Sequence, residues 1–424
     1  MVIEQKNSAK GEIIVPGDKS ISHRAIMAGA LAQGTTEIEG LLLSEDCLAT
    51  IECFRKMQVG IEILPNNRLK VYGRGLHGLK QHTYAFNTGN SGTTIRLMLG
   101  ILAGQRFNSI ITGDDRAHKR PMGRVVSHLK MMGANIVGKE DGNFVPFMVN
   151  TSKLQGTKFD LPNSGSQLKS TLLFASLFAE GETTITERIK SRDHTELMLN
   201  YFGANISTDG NTVRSTPVPE LYPQKVWIPG DTSFAAYFVA AGLLLPDSEI
   251  TVKNVCVNPT RMEFFNVIKR MGADFEINNR RTENNEEIGD ITVRSSELTA
   301  ITIEPDDVAK IIDEIPIIAV IATKAKGTTV IKEAVELKQK QAYRIKTMAL
   351  ELSKMGAKIS ESPEGVAIEG NRNLKGTVVE TYNDEIITMA LSIAGLVAEG
   401  ETMIRRPQCV DVVFPEFYDI LYKL

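Results

Sequence analysis

One arrangement of apolar and polar positions recurs six times along this chain. Each copy opens on a short polar turn containing Pro, Gly or Ser and runs into an apolar, small-residue-rich stretch of helical length. A Gly-Thr-Thr or Gly-Glu-Thr segment with strand character follows, and then a second, amphipathic helix. A Met-Gly-Ala or related turn closes the copy ahead of an Ile/Val strand. The openings fall at Val15 (VPGDKSISHRAIMAGALAQGTTEIEG), Asn87 (NTGNSGTTIRLMLGILAG), Leu161 (LPNSGSQLKSTLLFASLFAEGETTI), Ile228 (IPGDTSFAAYFVAAGLLL), Ile315 (IPIIAVIATKAKGTTVIKE) and Tyr382 (YNDEIITMALSIAGLVAEGETMI). The first five close on KMQVGIEI, MMGANI, YFGANI, RMGADFEI and KMGAKI, and the sixth runs into FPEFYDILYKL at the C-terminus.

Alternating strands and helices predict an α/β chain. A unit of this size cannot bury its apolar face alone, so several copies must share a core, and six copies predict two domains of three. Small residues such as Ala25, Ala28, Gly29 and Ala30 in the first helix predict close helix packing. With 424 residues, two domains of roughly 200 each is the natural division.

The helix openings carry the candidate chemistry. Asp18-Lys19-Ser20, Asn90-Ser91-Gly92, Ser164-Gly165-Ser166 and Asp231-Thr232-Ser233 are N-cap sequences. A helix N-terminus offers unpaired N–H groups and the positive end of the macrodipole, so several converging openings would bind an anion. Plain N-capping explains the same residues without a ligand. Cations favour the anion: Lys19 and Arg24 lie within about a turn and a half of helix. Lys119, Arg120 and Arg124 crowd a helix start around Pro121, Lys338, Lys340 and Arg344 crowd another segment, and Arg192 sits in SRDHTE. Basic clusters at matching places in different repeats point to a small substrate with two anionic groups.

Charge and composition narrow the class further. Forty-eight basic against 51 acidic residues give a net charge of -3, without the basic excess of a general nucleic-acid binder. Four scattered cysteines suggest neither a disulfide framework nor a zinc ligand set, and fit a reducing cytoplasm. The opening MVIEQKNSAKGEIIV lacks the apolar core of a signal peptide, and the longest apolar run, 315–323, is about half a membrane span.

PGDKSISHR, GNSGTTIRLMLGILAG, KRPMGR, SRDHTE, NPTR and IDEIP together resemble the 5-enolpyruvylshikimate-3-phosphate synthase family, in the subclass found in Gram-positive bacteria, over essentially the whole chain. The resemblance implies two inside-out α/β barrel domains of three βαβαββ units each. Crossovers near residues 18 and 229 would place 1–18 with 229–424 and leave 19–228 as the second domain, with the active site in the cleft between them. It also implies a cytoplasmic monomer of aromatic amino-acid biosynthesis, without metal, cofactor, nucleic acid or membrane. By that resemblance Lys19, Ser20, Arg24, Ser166, Gln167, Arg192, Asp313 and Lys340 contact shikimate 3-phosphate. Lys19, Asn90, Gly92, Arg120, Gln167 and Arg344 line the phosphoenolpyruvate side. The shikimate 5-hydroxyl would add to C2 of phosphoenolpyruvate before phosphate leaves, with Asp313 as base and Lys19 as acid and charge stabiliser. The related UDP-N-acetylglucosamine enolpyruvyl transferases are disfavoured, because no Cys lies in 105–130 where their reactive loop would fall.

Departures from the family pattern fall at the chemistry. In place of Lys-Glu-[Ser/Thr]-[Asp/Asn]-Arg the chain has Lys340-Gln341-Ala342-Tyr343-Arg344, so Gln341 occupies the position of the family's proton donor and acceptor at the methylene carbon. In place of Asp-His-Arg it has Asp384-Glu385-Ile386, which removes an arginine that pairs with the phosphoenolpyruvate carboxylate. Gly165 and Val412 replace a Ser and a Lys. A general acid–base group contributes roughly 10²–10⁴-fold in rate, and a charge-assisted hydrogen bond about 1.5–3 kcal/mol. Two other functions therefore stay open: a paralogue acting on a phosphorylated cyclitol by elimination, and a non-catalytic binding relative.

Overall fold

The computed structural model describes residues 1–162, 165–332, 342–362 and 365–424. The chain divides into two compact units. A terminal unit comprises Met1–Pro16, Pro229–Thr282 and Glu287–Leu424, and an inserted unit comprises Gly17–Ile228 with Glu283–Glu286.

Each repeat builds the same element. The first helices Lys19–Leu31, Gly92–Ala103 and Ser166–Ser176 of the inserted unit are buried along most of their length, as are Thr232–Leu244, Ile315–Ala322 and Glu385–Val397 of the terminal unit. A helix buried on every side has no solvent face, so each triplet lies inside its unit with the sheets outside. Close approach needs the small residues: a Cβ on Gly100 would lie 2.3 Å from the Thr171 carbonyl oxygen of the neighbouring helix. The second helices are amphipathic instead. Glu45–Lys56 is capped by the Ser44 hydroxyl, starts with Glu45 and Asp46 and ends with Arg55 and Lys56, matching the macrodipole at both ends.

The closing turn has a backbone cause. Gly133, Gly203, Gly272 and Gly356, the glycines of the four Gly-Ala closings, have φ of +94°, +94°, +97° and +93°. This left-handed conformation ends the second helix and is cheap only for glycine. In the first repeat, which reads Met57-Gln58-Val59, Gln58 enters the same region with φ of +63°.

Among the described residues there are six small sheets, three in each unit. In the second repeat the spatial order is Phe86–Asn87, Ser109–Thr112, Phe144–Asn150, Asn135–Gly138, with the first pair parallel and the others antiparallel. The third repeat follows the same order and directions. The parallel link needs a crossover, which the buried first helix provides.

One feature was not legible in the repeats. The sixth copy has no closing strand pair of its own. Its sheet, Val378–Glu380 beside Glu401–Arg405, is completed by the N-terminal strand Val2–Glu4, which pairs antiparallel with Glu401–Arg405. Ile3 is fully buried there, against Gly395 and Thr402. Ile3→Ala is expected to remove about 2–5 kcal/mol from the terminal unit, read as a lower denaturant midpoint. An unchanged midpoint would mean that this strand contributes nothing to the core.

Candidate functional site

In the inserted unit the first helix starts at Lys19, after the Asp18 carboxylate has accepted the Ile21 amide at 2.9 Å. The Lys19 ammonium is ion-paired with Asp46, in the first turn of Glu45–Lys56. Burial works against the Asp46 carboxylate, but the Lys19 charge and hydrogen bond, with Arg120 beyond, overcome it and hold the pKa below the ordinary value.

One turn further on, Arg24 is buried and held by neutral groups. Its Nη1 donates to the Ser20 carbonyl at 2.8 Å, Nε to Thr195 Oγ1 at 2.5 Å and Nη2 to Ser170 Oγ at 2.6 Å. Burial lowers its pKa to about 10; Asp18 opposes the shift and Arg192 adds to it, so the guanidinium remains charged at neutral pH. A guanidinium has five N–H donors, which leaves two for a ligand beyond these three bonds.

The second repeat presents Asn90, Gly92 and Arg120. Arg120 Nη1 donates to the Asn90 carbonyl at 2.8 Å and Nη2 to Asn90 Oδ1 at 2.9 Å, which locks the arginine to the turn before the helix. Gly92 leaves room for both guanidinium groups: an added Cβ would lie 2.6 Å from Arg120 Nη1 and from Arg96 Nη1, and both would have to shift. Burial lowers the Arg96 pKa to about 10, with Arg120 contributing. Ser166 opens the third helix, where Gly165 supplies no side-chain cap, and Gln167 Nε2 donates to Thr93 Oγ1 at 2.9 Å. Arg192 is half-buried in the segment before His194–Tyr201.

The terminal unit carries Asp313, half-buried in the turn before Ile315–Ala322, and Arg344, in the first turn of Ala342–Lys354. Lys340 and Gln341 lie outside the described residues, as do Lys338 and Ser164. Arg344 Nε donates to Asp384 Oδ2 at 2.7 Å, and the Tyr343 hydroxyl donates to the same oxygen. The other oxygen, Oδ1, caps Glu385–Val397 by accepting the Ile386 and Ile387 amides at 3.0 and 3.1 Å. Glu385 and Ile386 are half-buried in that first turn, and Val412 is exposed. Tyr237 lies beneath, donating to the Ile386 carbonyl at 3.4 Å, its phenol pushed well above the ordinary pKa by burial. The NPTR and IDEIP motifs meet at Arg261, whose Nη2 donates to Asp231 Oδ1 at 3.0 Å and Ser233 Oγ at 2.8 Å. Its Nη1 lies 3.9 Å from Glu314.

Several partners escaped the sequence reading. Asp46 has the residue type and place of an ordinary first-turn acid, and its role as the Lys19 counter-ion depends on tertiary structure. Thr195 and Ser170, which hold Arg24, lie 171 and 146 residues from it. Asp384 appeared only as part of a departure from a motif.

Helix starts with lysine and arginine beside them, on six α/β repeats of which the N-terminal strand completes the last, define the class as a repeat-built α/β protein. The family model described as EPSP synthase (3-phosphoshikimate 1-carboxyvinyltransferase) matches residues 3–421. The 3-phosphoshikimate 1-carboxyvinyltransferase of Thermoanaerobacter sp. (strain X514) is 51% identical over 416 residues, covering 98% of each chain. That of Desulforamulus reducens is 47% identical over 424 residues, covering 100% of this chain and 99% of its own. A solved EPSP synthase from Acinetobacter baumannii superposes with a TM-score of 0.91 at 38% identity, covering 100% of this chain and 97% of its own. The chain belongs to the EPSP synthase family. Its fold is the two-domain α/β architecture of six repeats, and no helix among the described residues is long and apolar enough to cross a membrane.

Beneath the cations of the inserted unit runs a buried hydrogen-bonded chain: His23 Nδ1 to Thr50 Oγ1 at 2.8 Å, Thr50 to Thr94 at 2.7 Å, and Thr94 to Ser91 at 2.7 Å. Burial pushes the His23 pKa down to about 3, so the folded ring stays neutral while the unfolded ring protonates near 6.5. As pH falls from about 6.5 towards 3 the unfolded state binds the proton first, and stability drops by up to about 1.4 kcal/mol per pH unit. His23→Asn is expected to remove this slope from denaturation midpoints measured between pH 7 and 4. Equal slopes in both proteins would contradict the neutral buried imidazole.

Proposed function

We propose that this protein transfers the carboxyvinyl group of phosphoenolpyruvate to the 5-hydroxyl of shikimate 3-phosphate and releases phosphate, as a cytoplasmic monomer. Membership of a family whose curated relatives bear that activity in their names, over nearly the full chain, is the observation that carries it. The cation set of the inserted unit suits two phosphorylated substrates. Arg24, with Lys19, Ser20, Ser166, Gln167, Arg192, Asp313 and Lys340, is assigned to shikimate 3-phosphate. Lys19, Asn90, Gly92, Gln167, Arg120 and Arg344 are assigned to phosphoenolpyruvate.

The reaction proceeds in two steps. Asp313 takes the proton of the 5-hydroxyl while its oxygen bonds to C2 of phosphoenolpyruvate, and the methylene carbon gains a proton to become a methyl group. Lys19, the acid that supplies the methyl proton, takes one back as the tetrahedral adduct expels phosphate and restores the double bond, and Asp313 passes the hydroxyl proton to the departing phosphate. Lys19 stabilises charge on the phosphate and supplies acid. Gln341 has no titratable group to move the proton at the methylene carbon. Arg344 already shares its charge with Asp384, and Ile386 adds no cation, so turnover is expected to be slow.

Phosphorus NMR of the protein with shikimate 3-phosphate, with and without phosphoenolpyruvate, tests the assignment. Free phosphate together with an enolpyruvyl product, only when both substrates are present, is the expected result. Gln341→Glu is expected to raise kcat by roughly 10²–10⁴-fold. Change in shikimate 3-phosphate alone, without phosphoenolpyruvate, would overturn transfer in favour of elimination. No change with either substrate set, in the protein and in Gln341→Glu, would overturn it in favour of a binding relative.

A further inference from the structure

We infer that Lys169, buried in the inserted unit, is a positioning residue that fixes Arg24 and Arg192 for the phosphorylated acceptor; this rests on the acceptor assignment above. Lysine is almost never fully buried unless it is paired, and the Lys169 side chain is 1% exposed on the helix Ser166–Ser176. Its Nζ donates to Glu187 Oε2 at 2.8 Å and to the Ser191 carbonyl at 3.3 Å, and lies 2.7 Å from Glu196 Oε1. One cation therefore faces two buried carboxylates. Burial opposes the ammonium, but Glu196 and Glu187 outweigh it and raise the Lys169 pKa, so the charge persists. Burial also raises the Glu196 pKa, against the pull of Lys169.

The network ends on the two arginines. Glu187 Oε2 accepts the Ser191 amide at 3.1 Å and Oε1 accepts the Ser191 hydroxyl at 2.6 Å. With its carbonyl on Lys169, Ser191 has its amide, carbonyl and hydroxyl all tied, and the next residue is Arg192. On the other side, Ser170 follows Lys169 and Thr195 precedes Glu196. Thr195 Oγ1 donates to Ser170 Oγ at 2.6 Å, and these two hydroxyls are the ones that accept from Arg24. The helix Ser166–Ser176 and the helix His194–Tyr201 are thus joined by an ionic link and, one residue away, by a hydroxyl link that carries the guanidinium. Burying ions is a costly way to hold two helices together, since apolar side chains of similar volume often do as well or better. A defined direction for each group is what the ionic arrangement adds, and the groups it directs are the backbone before Arg192 and the hydroxyls under Arg24.

Calorimetric binding of shikimate 3-phosphate to Lys169→Met and to Ser191→Ala tests this, alongside KM for phosphoenolpyruvate and thermal midpoints. Misplacing a binding group by about 1 Å costs up to roughly a hundredfold. Lys169→Met is expected to weaken shikimate 3-phosphate binding at least about tenfold, with KM for phosphoenolpyruvate within about twofold of wild type. Ser191→Ala, which keeps the ion pairs, is expected to weaken it about threefold at an unchanged thermal midpoint. Wild-type affinity in both variants, whatever their thermal midpoints, would overturn the inference. Should Lys169→Met fail to fold, Ser191→Ala and Glu187→Gln decide it, and wild-type affinity in those two overturns it. Wild-type binding without turnover would instead sink the transferase assignment and leave Lys169 in its positioning role. Absence of wild-type binding would contradict both.

Discussion

A helix without a solvent face can exist only where other elements surround it, and six such helices determine how this chain is built. Polar groups within them must be satisfied inside the unit, and several turn back on their own helix. Thr171 Oγ1 donates to the Gln167 carbonyl at 2.8 Å, Thr388 Oγ1 to that of Asp384 at 2.7 Å and Ser392 Oγ to that of Thr388 at 2.8 Å. Unpaired amides are left to the helix starts. Asp18, Ser91, Asp231 and Asp384 each cap one with a side chain, and Lys19, Arg120 and Arg344 collect beside them. Interior helices and the cations at their starts are two consequences of one packing constraint.

How a cation is held decides what it can offer. Arg24 is fixed by two hydroxyls and a carbonyl, and Arg120 by an asparagine side chain and its own carbonyl. Neutral partners orient a guanidinium without compensating its charge. Arg344 is fixed by the Asp384 carboxylate, with Tyr343 on the same oxygen, so its charge is largely matched before any ligand arrives. With Ile386 in the adjoining turn, the terminal unit carries less positive charge there than an arginine would give it. The scaffold is that of the family, and the change lies in the electrostatics of one group of residues.

Much of the architecture was readable because repetition amplifies weak signals. A single Gly-Ala after an amphipathic stretch says little, but four of them mark the left-handed turn now seen at Gly133, Gly203, Gly272 and Gly356. The strand Val2–Glu4 escaped because it repairs a repeat that begins almost four hundred residues later, and nothing local records that pairing. The cations were readable by type and spacing, whereas their partners were not. Asp46, Thr195, Ser170 and Glu187 have the residue types of ordinary caps, surface positions or strand ends, and only the fold brings them to Lys19, Arg24 and Lys169.

The electrostatic account is tested most directly by equilibrium binding of phosphoenolpyruvate, in the presence of shikimate 3-phosphate, to wild type and to Ile386→Arg. Restoring a charge-assisted hydrogen bond worth about 1.5–3 kcal/mol is predicted to tighten binding roughly tenfold to a hundredfold. Equal affinity in the two proteins would contradict the account, because it would mean that the terminal unit is not short of positive charge for this substrate.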